Sequence, residues 1–187
     1  MMTREEAEKE LIAMLEEAEG GPLYSMEEVD AYMRELLHPK NQIYLTGDTH
    51  GQFERIISFC ERQQVQPEST FIILGDVGLN YYGDRRDRRG KDALAQIPIT
   101  FFCIHGNHEM RPSEELGYQV KEYHGGKVWV QPEYPNLVFA IDGEIYDFFG
   151  HSCIVIGGAY SVDKYYRLAR DYNWFEDEQP SDEIKEK

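Results

Sequence analysis

Three short apolar runs, Ile43-Tyr44-Leu45, Phe71-Ile72-Ile73-Leu74 and Phe101-Phe102-Cys103-Ile104, are spaced so that helical stretches fit between them. The first such stretch carries Phe53, Ile56, Ile57, Phe59 and Cys60. The second is a short piece from Asp92 to Ile97, preceded by an irregular charged insertion from Tyr81 to Arg89. Uninterrupted apolar runs suit strands buried on both faces, and strand–helix–strand–helix–strand order implies right-handed crossovers and a parallel sheet. Downstream, Lys127 to Val130 is a strand candidate. Leu137 to Ile141 and Glu144 to Phe149 flank Asp142-Gly143, which predicts a hairpin. Ser152 to Ile156 reads as a further strand ended by Gly157-Gly158, and Tyr165 to Phe175 as an aromatic-rich helix.

The ends differ from this middle. Thr3 with Glu6 and Ser25 with Glu28 are capping-box patterns. Ala7, Leu11, Ile12, Leu15 and Ala18 form one apolar stripe after the first box, and Val29, Tyr32, Met33, Leu36 and Leu37 another after the second. Residues 1–40 therefore read as an N-terminal helical hairpin, broken at Gly20-Gly21-Pro22 and Pro39, with the main domain at 41–187. At the other end Ser181, Asp182 and Glu183 look like a helix start with four residues to follow. A frayed tail and an interrupted element explain that equally well at this point.

Length and charge add bounds. At 187 residues, 41% of them hydrophobic, the chain has room for one domain with a sizeable core. The net charge of −16 disfavours long nucleic acid and anionic membrane surfaces as partners. Most of it lies at the ends: net −7 over 1–40 and −5 over 171–187. Cys60, Cys103 and Cys153 lie in apolar surroundings without CxxC spacing, which suits buried free thiols in a reducing compartment. No secretory leader pattern and no apolar run of membrane-spanning length is present, so the expectation is a soluble cytoplasmic protein.

The chemistry gathers where the parallel strands end. Each is followed by Gly and then an acid or amide: Gly47-Asp48-Thr49-His50-Gly51, Gly75-Asp76-Val77-Gly78 and Gly106-Asn107-His108-Glu109. Carboxyl ends of strands in an open α/β sheet line the ligand crevice, so Asp48, His50, Asp76, Asn107 and His108 should converge. Carboxylate, imidazole and amide oxygen together suit manganese, iron, zinc or cobalt better than magnesium. One Gly-Asp pair would be an ordinary turn; three in register, with Asp-x-His and Asn-His among them, point to a metal site.

GDTHGQ, GD and GNHE in this order resemble the signatures of the calcineurin-like metallophosphoesterases, which include the Ser/Thr phosphoprotein phosphatases. The resemblance is strongest over about 42–110, and IVIGGAYSVDKYYR at 154–167 is compatible with it. It implies an α/β fold of two sheets packed face to face and flanked by helices. It also implies a centre of two divalent metal ions, with manganese, iron or zinc favoured. Asp48 and His50 would hold the first ion, Asp76 would bridge both, Asn107 would hold the second, and His108 would serve as proton donor to the leaving oxygen. The substrate would be a phosphorylated small molecule, a nucleotide or a phosphoprotein.

The departures shape the expectations too. The family's later histidine ligands, including a Gly-His-x-His motif, have no counterpart, because His124 and His151 stand in YHGG and GHSC contexts. That favours an interrupted element over a frayed tail, and a partner chain could complete the fold. The acid and arginine of the phosphatases' middle motif are replaced by Leu79 and Asn80, and their arginine before GNHE by His105. A phosphate clamp must then come from elsewhere. Arg85, Arg86, Lys164 and Arg167 are candidates, against the plainer readings of a solvated loop paired with Asp84 and Asp87 and of surface positions after Gly157-Gly158. The aromatic group Tyr160, Tyr165, Tyr166, Tyr172, Trp174 and Phe175 reads as core or interface. His105 would lie behind the ligands, and His124, His151 and Cys153 are structural. Three functions remain open: a metal-dependent phosphatase, a nucleotide phosphodiesterase or nuclease of the same fold, and an incomplete chain that binds without turnover.

Overall fold

The computed structural model describes residues 9, 10, 12, 13, 25–37 and 41–186. The first expected helix lies mostly outside them, although Lys9, Glu10, Ile12 and Ala13 are helical. The second is helix α1, Met26–Leu37. It opens on the predicted capping box: the Ser25 hydroxyl accepts the Glu28 amide at 3.2 Å, and the Glu28 carboxylate accepts the Ser25 amide at 2.7 Å.

The expected parallel strands are β1 (Ile43–Gly47), β2 (Thr70–Leu74) and β3 (Thr100–Ile104), linked by α2 (Glu54–Gln63) and α3 (Arg88–Ala95). They continue into β6 (Leu137–Ala140), which is also parallel, and then into antiparallel β5 (Gly126–Val130) and β4 (Gln119–Tyr123). The sheet order is β1-β2-β3-β6-β5-β4. Alternation along the strands splits the core in two. Phe71, Ile73, Phe101, Cys103, Leu137 and Phe139 pack with Phe53, Ile56 and Cys60 of the α2 region and Leu94 of α3. On the opposite face Ile72, Phe102 and Val138 meet Tyr146 and Phe148. These two belong to the small second sheet, β7 (Ile145–Phe148) with β8 (His151–Ile154). The Tyr146 hydroxyl pins the layers together, donating to the Lys127 carbonyl at 2.6 Å and accepting the Ile141 amide at 2.9 Å.

Several expectations need correction. Asp142-Gly143 does not join paired strands, because β6 and β7 belong to different sheets. The Asp142 side chain is engaged by Arg111 and the Gly157 amide, and the turn carries the chain from one layer to the other. The true hairpin turns are His124-Gly125 (φ 50° and 85°) and Phe149-Gly150 (φ 56° and 86°), whose paired positive φ values match a type I′ geometry. Strand β4 escaped prediction because Gln119 to Glu122 are all exposed on a sheet edge, where no apolar alternation is required. Helix α4 spans only Lys164–Ala169, since Asp171 turns left-handed (φ 53°) and the Tyr172 amide caps the Arg167 carbonyl. The terminal start is a short helix α5, Asp182–Lys185, with Ser181 as N-cap. Cys60 and Cys103 are buried free thiols, but Cys153 is exposed because every residue of β8 is. Tyr160, Tyr165, Tyr166 and Tyr172 are exposed rather than core. Among the described residues no helix is long and apolar enough to cross a membrane.

Candidate metal centre

The loops after β1, β2 and β3 are stitched to one another by main-chain bonds. The Asp48 amide donates to the Gly75 carbonyl at 3.1 Å, His50 to Asp76 at 2.7 Å and Gly51 to Val77 at 2.9 Å. Left-handed backbone falls on the polar residues themselves, Asp48 (φ 55°), His50 (φ 46°) and Asp76 (φ 47°), a conformation that Asp and His tolerate better than most residues. Two glycines make the close approach possible. A Cβ at Gly106 would lie 2.0 Å from the Asp76 nitrogen, and one at Gly78 would lie 2.3 Å from the Gly51 nitrogen.

Behind these loops Glu109 is fully buried. Its carboxylate accepts the amides of Val77 (3.0 Å), Gly78 (3.0 Å) and Gly106 (3.1 Å), joining the second and third loops through one side chain. Burial pushes its carboxyl up to about 7 against the pull of those three amides. His105, also buried, has neither ring nitrogen bonded among the described residues; burial, with Arg111 adding to it, pushes the imidazole down to about 3.

The result is a cluster in which ligand atoms of His50, Asp76 and His108 all lie within 4.8 Å of one another. His50 Nε2 is 2.8 Å from Asp48 Oδ1 and 3.9 Å from Asp76 Oδ2. The His50 and His108 rings are 5.3 Å apart, edge to face. Asp48 is largely exposed and Asp76 mostly covered. The spacing and the mixture of carboxylate and imidazole donors fit a divalent ion of intermediate hardness. The Asn107 Nδ2 donates to Ser161 Oγ at 2.9 Å, fixing which way the amide points, and Asn107 lines a pocket with Asp48 and Asp76. The family model for calcineurin-like phosphoesterases matches residues 42–186.

This chain is a calcineurin-like phosphoesterase.

Its family accounts for the α/β layers and implies metal-dependent chemistry on phosphorylated substrates in general. No solved structure matches it.

The expected phosphate-binding residues divide. A cleft of about 770 Å³ is lined by His50 and His108 of the cluster together with Tyr81, Tyr82, Arg86, Arg89 and Arg167. Arg86 is exposed, pairs with Asp84 at 2.8 Å and lies over the Tyr82 ring, so the solvated-loop reading describes it. Arg85 lines a separate pocket of about 320 Å³ with Lys91 and Gln131. Lys164 sits over Trp174 at 3.6 Å. Arg167, expected at the surface, is buried instead.

Sequence reasoning passed over two organising residues. Glu109 stands inside the GNHE motif but was not distinguished from it. Arg111 bonds Asp142 (2.5 Å), the Asp177 carbonyl (2.9 Å) and the Gly157 carbonyl (3.4 Å), holding the third loop against the Gly157-Gly158 turn. Its partners are 31, 46 and 66 positions away, too distant for any local pattern to announce.

Proposed function

We propose that this phosphoesterase hydrolyses a phosphate ester at the carboxyl ends of β1, β2 and β3, with two divalent ions, manganese, iron or zinc, as cofactors. The carrying observation is the convergence of His50, Asp76 and His108 within 4.8 Å, with His50 and His108 opening on the cleft. Asp48 and His50 would hold the first ion, Asp76 would serve both, and Asn107 would contribute to the second. When bound, the ions supply Lewis-acid stabilisation of phosphoryl charge and acidify water. A water oxygen attacks phosphorus in line, the bond to the ester oxygen breaks, and His108 gives that oxygen its proton. The His108 amide on Asp76 Oδ1, at 2.9 Å, holds the imidazole beside Asp76 and His50. Glu109 keeps the loops together without touching substrate. Free thiols at Cys60 and Cys103 suit a reducing, cytoplasmic setting.

The test is hydrolysis of p-nitrophenyl phosphate and of bis(p-nitrophenyl) phosphate with manganese, iron or zinc supplied. Metal-dependent turnover that falls about a hundredfold or more in His108→Ala supports the mechanism. Preference for the diester would make the enzyme a phosphodiesterase. A second reading rests on a count: among the described residues only one His, Cys, Asp and Glu group has ligand spacing. A folded, metal-loaded protein that turns over neither ester would favour that reading, a binding module with one ion.

A further inference from the structure

Arg167 is the least explained side chain in the cleft. It lies on α4 and is only 4% exposed, yet Nη1 has no hydrogen-bond partner and no carboxylate pairs with it among the described residues. A buried guanidinium without a counter-charge is costly, and a native fold rarely keeps one without a use. Its backbone is fixed from both sides: the Arg167 amide donates to Asp163 at 3.0 Å, and its carbonyl accepts Arg170 at 3.1 Å and Tyr172 at 2.9 Å. The residue lines the same cleft as His50 and His108.

Nearby groups do not neutralise it. Asp87, which also lines the cleft, is turned to the Tyr82 and Gly83 amides at 2.7–3.2 Å. Glu54 is exposed at the rim. Arg86 is occupied by Asp84, and Arg89 adds a further exposed cation to the wall. In a chain of net charge −16, this one cleft concentrates arginine beside a metal-ligand cluster.

The positions at which the phosphatase motifs would carry a clamp cannot serve. Leu79 is fully buried, Asn80 is tied to Lys91 and Tyr118, and His105 is buried. We infer that Arg167 forms an oxyanion subsite of the cleft and takes the phosphoryl oxygens of the substrate in the fork geometry a guanidinium offers. The identity of the oxyanion as the scissile group rests on the hydrolase reading above, but anion binding by Arg167 does not.

The experiment uses manganese-supplied protein and inorganic phosphate as probe, with Arg167→Met and Arg167→Lys beside wild type. Calorimetry reads phosphate affinity, a thermal scan reads the unfolding midpoint with and without phosphate, and elemental analysis reads metal content. The expected result is at least tenfold weaker phosphate binding in both variants at unchanged metal content. Without phosphate, Arg167→Met should unfold at a higher temperature than wild type, because an uncompensated buried charge is gone. A structural arginine would not give that rise. Three outcomes overturn the proposal: variants that bind phosphate as wild type does, a wild type that binds none at millimolar phosphate, or an Arg167→Met protein less stable than wild type. If phosphate binding depends on Arg167 but no ester is hydrolysed, the hydrolase reading fails and this one stands.

Discussion

Asp76 Oδ1 accepts the backbone amide of His108 at 2.9 Å while Asp76 Oδ2 stands 3.9 Å from His50 Nε2. One carboxylate thus divides its two oxygens between holding a loop and facing the candidate metal site. Asp76→Asn can keep the first role, since an amide oxygen still accepts, and lose the charge needed for the second. The variant should unfold within about 1 kcal/mol of wild type in denaturant titrations run without metal.

Glu109 permits no such separation. Both of its oxygens face amides, with Oε1 on Val77 and Gly106 and Oε2 on Gly78. Glu109→Gln sets an NH2 group against an N–H and leaves a buried donor unsatisfied. The expected loss is about 1–3 kcal/mol in urea unfolding, with weaker metal binding as the loops separate. Unchanged stability would remove Glu109 from the loop framework.

Arg111 and Asp142 form a half-buried pair at 2.5 Å that ties the GNHE loop to the Gly157-Gly158 turn. Arg111→Ala strands the Asp142 carboxylate, only 11% exposed. The expected destabilisation is about 3 kcal/mol, measured by chemical denaturation, and hydrogen exchange should quicken at the Gly157 and Gly158 amides.

Lys91 carries a pH dependence away from the metal cluster. Burial lowers its ammonium from 10.5 to about 8, although Asn80, Tyr118 and Gln131 surround it with acceptors at 2.8–3.2 Å. Between about 8 and 10.5 the unfolded chain holds this proton more tightly than the folded one, so the group's contribution to stability rises with pH across that window. Below about 8 both states hold the proton and the contribution is at its lowest. Thermal scans from pH 7.5 to 10.5 should therefore show wild type gaining on Lys91→Met as pH increases. A constant difference would mean that burial does not perturb Lys91.

What the sequence made legible is the part built from local signals. The apolar runs of β1, β2 and β3 gave the parallel sheet, and Gly-Asp and Gly-Asn at their ends marked the loops that converge. The Ser25–Glu28 box and the Ser181 cap were equally readable, because a cap is satisfied within three residues. Illegible parts depended on distant partners. The Asp142-Gly143 turn looks like a hairpin until Arg111 and Gly157 claim the aspartate. Strand β4 has no inward face to reveal, and the burial of Arg167 in the cleft wall has no signal among its neighbours in sequence.

The most direct test of the account is metal stoichiometry, by elemental analysis of chelator-free protein resupplied with manganese, for wild type and Asp76→Asn together. The account predicts close to two ions per chain in wild type and fewer than one in a variant that remains folded. A wild type that retains no manganese, or an Asp76→Asn protein that retains as much as wild type, would contradict it.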